Sequence, residues 1–445
     1  MSVSSALRSG ERSQRVADLI ASALGSIVAL GSAGGEVPVR FEFWDGSSLG
    51  PTDAIGAIGV VTIHSPDALR RFLWSPNELG LVRAHIAGEI DVAGDFVATI
   101  AALWGHGPEG GRLRGREIAR ALAVVGRLGG FGRPLPAPEE EARPHGWRRH
   151  TLGRDAEAIA HHYDVGNDFY RIVLGPSMTY SCARFGEPGM DLTAAQASKH
   201  DLVCRKLGLH ERPGQRLLDV GCGWGSMAIH AACRYDADVV GITISEAQAA
   251  VARERVEQAG VSDRVEIRLL DYRLLDGMPF DAISSIGMSE HVGHEKMDEY
   301  FGVLRASLAP GGRLLNHAIS KVGGSRLGRR TFIYRYVFPD GELLDVGESV
   351  LAMERSGFEV RDVESLREHY ATTLRAWVAN LEEQWDRAVE LVGQRRAKVW
   401  RLYMAASALS FERNAIAVHQ VLGVVAGADG TSAMPATRDG WGRDR

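Results

Sequence analysis

The stretch LLDVGCGWGSMAIHAA, Leu217 to Ala232, runs an apolar segment into Asp219 and then places Gly221, Gly223 and Gly225 at alternate positions ahead of a helix-forming run. Glycine adopts left-handed backbone without penalty, so a strand–turn–helix of this kind brings main chain close to a ligand and aims a helix N-terminus at it. In dinucleotide-binding proteins the spacing is G-x-G-x-x-G, and an acidic residue closes the second strand. Here the spacing is G-x-G-x-G, and the second strand ends in Gly241, Ile242 and Thr243, without that acid. On spacing alone the turn is either a ligand cradle or a tight structural corner.

Other chemistry-bearing residues are sparse. The four cysteines, Cys182, Cys204, Cys222 and Cys233, have neither a CxxC nor a zinc spacing, and four in 445 residues do not make a disulfide scaffold. Reduced thiols in the cytoplasm are the expectation. His161, His162, His291, His294 and His369 offer no pair at metal-ligand spacing, so no metal is expected. An isolated Cys182 or His317 reads as readily as a buried packing residue as a reactive one.

The elements that position the glycine turn alternate in type. RLLDVGCG, DVVGITIS, RVEIRLLDY, FDAISSIGM and GGRLLNHAIS read as strands, separated by helical stretches such as SEAQAAVARERVEQAG and HEKMDEYFGVLRASLAP. Strands spaced by helices imply crossover units and a parallel sheet covered on both faces, an α/β fold. Ahead of them, VPVRFEFWDG alternates Val37, Val39, Phe41 and Phe43 against Arg40 and Glu42 and ends in an Asp-Gly turn, part of a small α+β unit. The expected organisation is a small domain over 1–105, a basic helical segment and linker over 106–154, the α/β domain over 155–425 and a flexible tail over 426–445.

Apolar residues make up 45% of the chain, yet no apolar run approaches the ~20 residues of a membrane-spanning helix. The apolar N-terminal segment carries Glu11, Arg12, Arg15 and Asp18 and reads as an amphipathic helix rather than a signal peptide. The net charge of −5 is unevenly spread. Ten arginines (112, 114, 116, 120, 127, 133, 143, 148, 149 and 154) face four glutamates between Arg112 and Arg154, leaving that stretch near +6 and the remainder near −11. A basic stretch of this kind, with Trp147 as an interfacial anchor, suits an anionic lipid surface or a solvated helix and linker.

From about His161 to Val425 the chain resembles the cyclopropane-fatty-acid synthase family of S-adenosylmethionine (SAM)-dependent methyltransferases. The blocks that carry the resemblance are HYDVGNDFY, SMTYSCARF, LDVGCGWG, GITISEAQ, DYR, GMSEHVG, YRYVFPDGEL and HYATTLRAW, in that order. RDAEAIAHHYDVGNDFY, LLNHAIS, YVFPDGEL and FERNAIAVHQVL look most like the actinobacterial branch that makes the 10-methylene precursor of tuberculostearic acid. The resemblance implies a Rossmann-like class I fold with a helical, lipid-facing insertion, preceded by a small lipid-binding-type domain. It implies SAM as methyl donor, held by Tyr180, Ser181, Asp219, Gly221, Gly223, Gly225, Thr243, Ser245, Gln248, Asp271, Tyr272 and Arg273. It also implies a bound bicarbonate as base, caged by Cys182, Glu290, His317, Ile319 and Tyr370. In that cage Cys182 and Ile319 would offer backbone N–H groups, and His317 and Tyr370 side-chain donors. A carboxylate beside an anion requires a proton on one of them, so a raised pKa is expected in this cluster.

The implied reaction methylates the double bond of an unsaturated acyl chain in a membrane phospholipid. Alignment of donor and alkene can supply ~7 to 11 kcal/mol of the barrier. The resulting cation then loses a methyl proton, giving a cyclopropane directly or, after a 1,2-hydride shift, an exocyclic methylene. Departures from the family pattern are Ser407, where many members carry cysteine, Ala183-Arg184-Phe185 after Cys182, and Ser289 before Glu290. The methylene product is the expectation, with cyclopropane formation and methylation of another substrate class as the alternatives. A lipid-binding protein without catalysis would not need an intact glycine turn. Location at the inner face of the plasma membrane, contact with phospholipid but not nucleic acid, a homodimer or higher oligomer, and a reductase that completes the methyl branch all follow from the resemblance alone.

Overall fold

A computed structural model describes residues 15–21, 38–51, 56–105, 115–142, 165–276, 279–324, 328, 331–339 and 341–441. Outside them lie His161, His162, Trp147, six of the ten arginines (112, 114, 143, 148, 149 and 154) and most of the N-terminal segment; residues 16–21 of that segment are helical. The chain divides into two compact units, Met1–Glu141 and Ala142–Arg445.

The first unit is built on a four-stranded sheet in the order β2-β1-β3-β4, from β1 (Val39–Phe43), β2 (Ser48–Leu49), β3 (Gly59–Ile63) and β4 (Ile90–Gly94). Strand β1 runs parallel to β3, and the other pairings are antiparallel. The Asp-Gly turn forms as its residues dictate: Gly46 has φ +75°, and Asp45 accepts from the Ser47 and Val16 amides at 3.0 and 2.8 Å. Val39 and Phe43 are buried as the alternation requires. Helices α1 (Asp67–Trp74), α2 (Glu78–Ala87), α3 (Phe96–Gly105) and α4 (Gly115–Arg127) complete the unit.

The second unit has the parallel sheet that the alternation of elements demanded. Strands β5 (Arg216–Val220), β6 (Asp238–Thr243), β7 (Val265–Leu269), β8 (Phe280–Ile286) and β9 (Leu308–Lys321) pair in parallel. A short β10 (Leu344–Asp345) adds to β9. Two further strands, β11 (Glu359–Ser365) and β12 (Ile416–Val424), extend it antiparallel, for an order β11-β12-β9-β8-β5-β6-β7. Neither was among the expected strands. EVRDVES is mostly polar, and IAVHQVLGV directly follows a long helix, so β12 owes its state to pairing with β9, and β11 to pairing with β12. The expected helix over 294–310 is an α-helix only over Met297–Ala306, because β9 already begins at Leu308, with a register shift opposite Phe280 and Ala282.

Helices α5 (Asn167–Leu174), α6 (Leu192–Leu207), α7 (Ser226–Tyr235) and α8 (Glu246–Gln258) precede or separate the strands, followed by α9 (Met297–Ala306), α10 (Phe332–Tyr336) and α11 (Val346–Arg355). A helical layer of α12 (Arg367–Glu383), α13 (Trp385–Val392) and α14 (Gln394–Glu412) is inserted between β11 and β12. It packs a continuous aromatic cluster: Tyr170, Tyr180, Trp377, Trp400 and Tyr403 lie with ring centroids 5.3–6.0 Å apart along the chain of contacts, a spacing that favours edge-on and offset contacts.

The C-terminal stretch, expected to be a flexible tail, is packed as far as Trp441. Met434 lies against the core, the Ala433 carbonyl accepts from Arg313 at 3.1 Å, Arg438 pairs with the buried Asp362, and Trp441 is 4% exposed.

Candidate active site

The glycine turn leaves the C-terminal end of β5 and enters α7 with all three glycines left-handed, φ +73°, +53° and +79° at Gly221, Gly223 and Gly225. The amides of Gly221 and Cys222 both donate to the Ile242 carbonyl at 2.9 Å, which clamps the turn to the end of β6. Over it opens a cavity of about 200 Å³ lined from the ends of β5, β6, β7 and β8, where open α/β sheets bind ligands.

Ten of the twelve expected cofactor residues line this cavity: Tyr180, Ser181, Asp219, Gly221, Gly223, Thr243, Gln248, Asp271, Tyr272 and Arg273. The other two serve their helices. Gly225 occupies the N-cap of α7, and the Ser245 side chain caps α8 by accepting from the Gln248 amide at 3.3 Å. Thr243 donates its hydroxyl to the Gln248 side-chain carbonyl at 3.0 Å, so these two expected cofactor residues also position each other. Asp271 is saturated by Arg273, with bonds of 2.8 and 2.7 Å to the guanidinium and 2.9 Å to the amide. Burial opposes ionisation there, but those bonds keep its carboxyl below the ordinary range.

Asp219 differs. Ser284 donates to Oδ1 at 2.7 Å, while Oδ2 is buried with no partner among the described residues, and burial raises the carboxyl's pKa to about 6. Also lining the cavity, and not expected from sequence, are Lys199, His200, Met288, His291, Lys296 and Glu299. Lys199 and His200 sit in a helix whose composition, QASKHD, reads as a solvated face; only packing against the sheet buries them.

The five expected cage residues lie behind this cavity, and none of them lines it, although their neighbours Ser181, Ile286, Gly287, Met288 and His291 do. They are linked through the sheet. Glu290 Oε1 accepts from the Ile319 amide at 2.8 Å, and His317 lies two residues before Ile319 on β9. Ile319 pairs with Val418 on β12, whose carbonyl accepts from Leu366, and the Leu366 carbonyl accepts from the Cys182 thiol at 3.6 Å. Tyr370 is one helical turn beyond Leu366, its ring 4.7 Å from that of Phe411. The Ile319 amide, expected to face an anion, is therefore committed to Glu290.

Electrostatics define what each group can do. Burial raises the Glu290 pKa to about 7 in spite of the opposing bond from the Ile319 amide, and Oε2 is buried without a partner among the described residues. Burial, reinforced by Lys199 and Lys206, holds His317 far below its ordinary pKa, so the ring is neutral. Gln420 Nε2 lies 3.3 Å from Nδ1, a contact that, with the amide as donor, assigns the ring proton to Nε2, which is buried and has no partner among the described residues. Burial pushes the Cys182 thiol well up, so it remains protonated and is no nucleophile. The substituted segment after it is tied to two helices: Arg184 donates to Ser198 Oγ at 3.1 Å, and the Phe185 amide donates to His369 Nδ1 at 3.2 Å.

A parallel sheet of this order, with a left-handed glycine turn under a polar cavity at its strand ends, defines a class I SAM-dependent methyltransferase. The chain belongs to the mycolic acid cyclopropane synthetase family, whose profile matches residues 150–421. It is 43% identical over 421 residues to "Probable fatty acid methyltransferase Rv3720" of Mycobacterium tuberculosis, covering 93% of this chain and 97% of that protein. It is 32% identical to the tuberculostearic acid methyltransferase UfaA1 of the same organism, over 86% of this chain and 87% of that one. Among solved structures, the mycolic acid cyclopropane synthase CmaA1, complexed with SAH and CTAB, superposes with a TM-score of 0.57 at 34% identity, over 60% of this chain and 97% of that chain. The protein is a methyltransferase.

Proposed function

We propose that the protein transfers a methyl group from SAM to the double bond of an unsaturated fatty acyl chain in phospholipid, with bicarbonate as base and a 10-methylene chain as product. The observation that carries this reading is the pair of orphaned buried groups behind the cofactor cavity, the Nε2–H of His317 and Oε2 of Glu290. One is a donor without an acceptor, and the other a carboxyl oxygen poised near neutrality. A small anion bearing its own hydroxyl complements both, as acceptor to the one and donor to the other. When bound, SAM supplies an electrophilic methyl and bicarbonate a base.

The chain's own residues do the rest. Tyr180 lines the cavity and is backed by the buried rings of Trp377 and Trp400, so it can present an aromatic surface to positive charge there while the cluster behind it excludes water. The buried Glu290 holds or yields a proton beside the anion, and neutral His317 donates without adding charge. The methylene product is supported by the likeness to UfaA1 and to the actinobacterial branch. Lipids from an unsaturated-fatty-acid-fed host expressing the protein should show vinylidene proton signals and a mass gain of one CH2 unit; cyclopropane ring protons in place of the vinylidene signals would reject the assigned product.

Access to a phospholipid chain requires docking at a bilayer. Phe72, Trp74 and Phe131 are exposed on the first unit, 41%, 56% and 58%, together with exposed Arg127 and Arg133. Apolar rings and cations on one unit suit an anionic interface. Co-sedimentation with phosphatidylglycerol vesicles should decline as salt is added, and salt-independent partition, or none, would remove this mode of docking. A homodimer and a reductase partner belong to the same proposal.

A further inference from the structure

Lys199 is a buried lysine that the mechanism above leaves without a task. It projects from α6 into the cofactor cavity, is 1% exposed, and makes one hydrogen bond, Nζ to Ser181 Oγ at 3.1 Å. An ammonium has three donors, so burying one with a single neutral partner is costly unless a further acceptor is bound. Across the same cavity Asp219 keeps Oδ2 buried and unpartnered. The two feel each other's charge, yet among the described residues they form no direct ion pair. A buried cation and a buried anion that line one cavity without pairing are complementary to a ligand carrying both charges.

We infer that Lys199 holds the carboxylate of the cofactor's methionyl group, with Asp219 facing its ammonium, so that the two form a receptor for an amino-acid zwitterion. This rests on the reading of the cavity as a SAM site and adds to it the residue that recognises the acid end. The arrangement also has an electrostatic reason. A carboxylate on Lys199 neutralises the cation that would otherwise oppose binding of a sulfonium in the same low-dielectric space. Ser181, already bonded to Nζ, fixes the ammonium's direction.

Burial lowers the Lys199 pKa to about 8, partly offset by Cys182 and Asp219 and by Cys204 on its own helix. His200 beside it, His230 on α7 and His317 on β9 are all held neutral by burial and by this cation. Lys199 must be protonated to bind a carboxylate, so the contribution is present below about pH 8 and lost above it.

The test is calorimetric binding to the full-length protein of three probes: S-adenosylhomocysteine, its decarboxylated analogue, which keeps the amine, and 5′-methylthioadenosine. Wild type should prefer S-adenosylhomocysteine over the decarboxylated analogue by about 10- to 100-fold, the range of one charge-assisted bond. In Lys199→Met that preference should collapse to near unity while 5′-methylthioadenosine affinity is kept. Equal weakening of all three probes, or a preserved preference, overturns the inference and assigns Lys199 a structural role. Should the variant fail to fold, wild type alone decides: its preference should shrink from about pH 7 to about pH 9, and a flat preference overturns the inference. Failure of wild type to bind any of the three would instead remove the cofactor reading itself.

Discussion

Glu290→Gln should reduce lipid methylation by about 10²- to 10⁴-fold, the range associated with loss of a positioned acid–base group, while S-adenosylhomocysteine affinity stays within about threefold of wild type. The asymmetry follows from the structure. Glu290 lies behind the cofactor cavity, not in its lining, and glutamine can still accept from the Ile319 amide through Oε1. What it lacks is a proton that can be held or released near neutrality. Turnover of oleoyl-phospholipid vesicles measured beside calorimetry separates the two effects; equal loss of both would mean that Glu290 shapes the cofactor site.

The same substitution has a stability signature. The Glu290 pKa is raised by burial from its ordinary 4.5 to about 7 in the folded protein. Between those values the folded state binds more protons than the unfolded one, so this group's contribution to stability falls as pH rises through that window. Glutamine carries no such penalty. The stability of Glu290→Gln relative to wild type should therefore rise from about pH 4.5 to about pH 7 and remain constant above it. Paired denaturation curves at several pH values check this, and a pH-independent difference would mean that the carboxyl is solvated.

Gly221→Ala should weaken S-adenosylhomocysteine binding by about 10- to 100-fold, because it forces two changes on the turn. A non-glycine residue at φ +73° costs about 1–2 kcal/mol of backbone energy. The new Cβ would also fall 2.5 Å from Met288 Cγ and 2.8 Å from its Sδ, so Met288, which itself lines the cavity, must move. The sheet beneath is undisturbed, and calorimetry on a variant with near wild-type circular dichroism is the measurement. Unchanged affinity would show that Gly221 marks only the corner between strand and helix. Gly223, where the added Cβ meets nothing within 4 Å, provides the control for backbone cost alone.

Local pattern carried much of this protein. Five parallel strands were legible because each is a short apolar run between helical periods. The cofactor-side residues were legible because they lie at or just beyond strand ends: Asp219 at the end of β5 with the glycines after it, Thr243 at the end of β6 with Gln248 after it, and Asp271 to Arg273 after β7. The identity of the cage residues was legible only through the ordered family blocks, since a lone cysteine or histidine carries no such information.

By itself the sequence determined that a glycine turn joins a first strand to its helix in a parallel α/β sheet, since the left-handed backbone and the alternating periods are properties of adjacent residues. Tertiary structure alone decided that β12 pairs with β9 and β11 with β12, that the tail packs through Trp441, that the Ile319 amide is given to Glu290, and that Lys199 and Glu290 are withdrawn from water. Pairing partners and desolvation depend on residues distant in the chain, and the charge state of a carboxyl or an ammonium follows from what surrounds it rather than from what adjoins it in sequence.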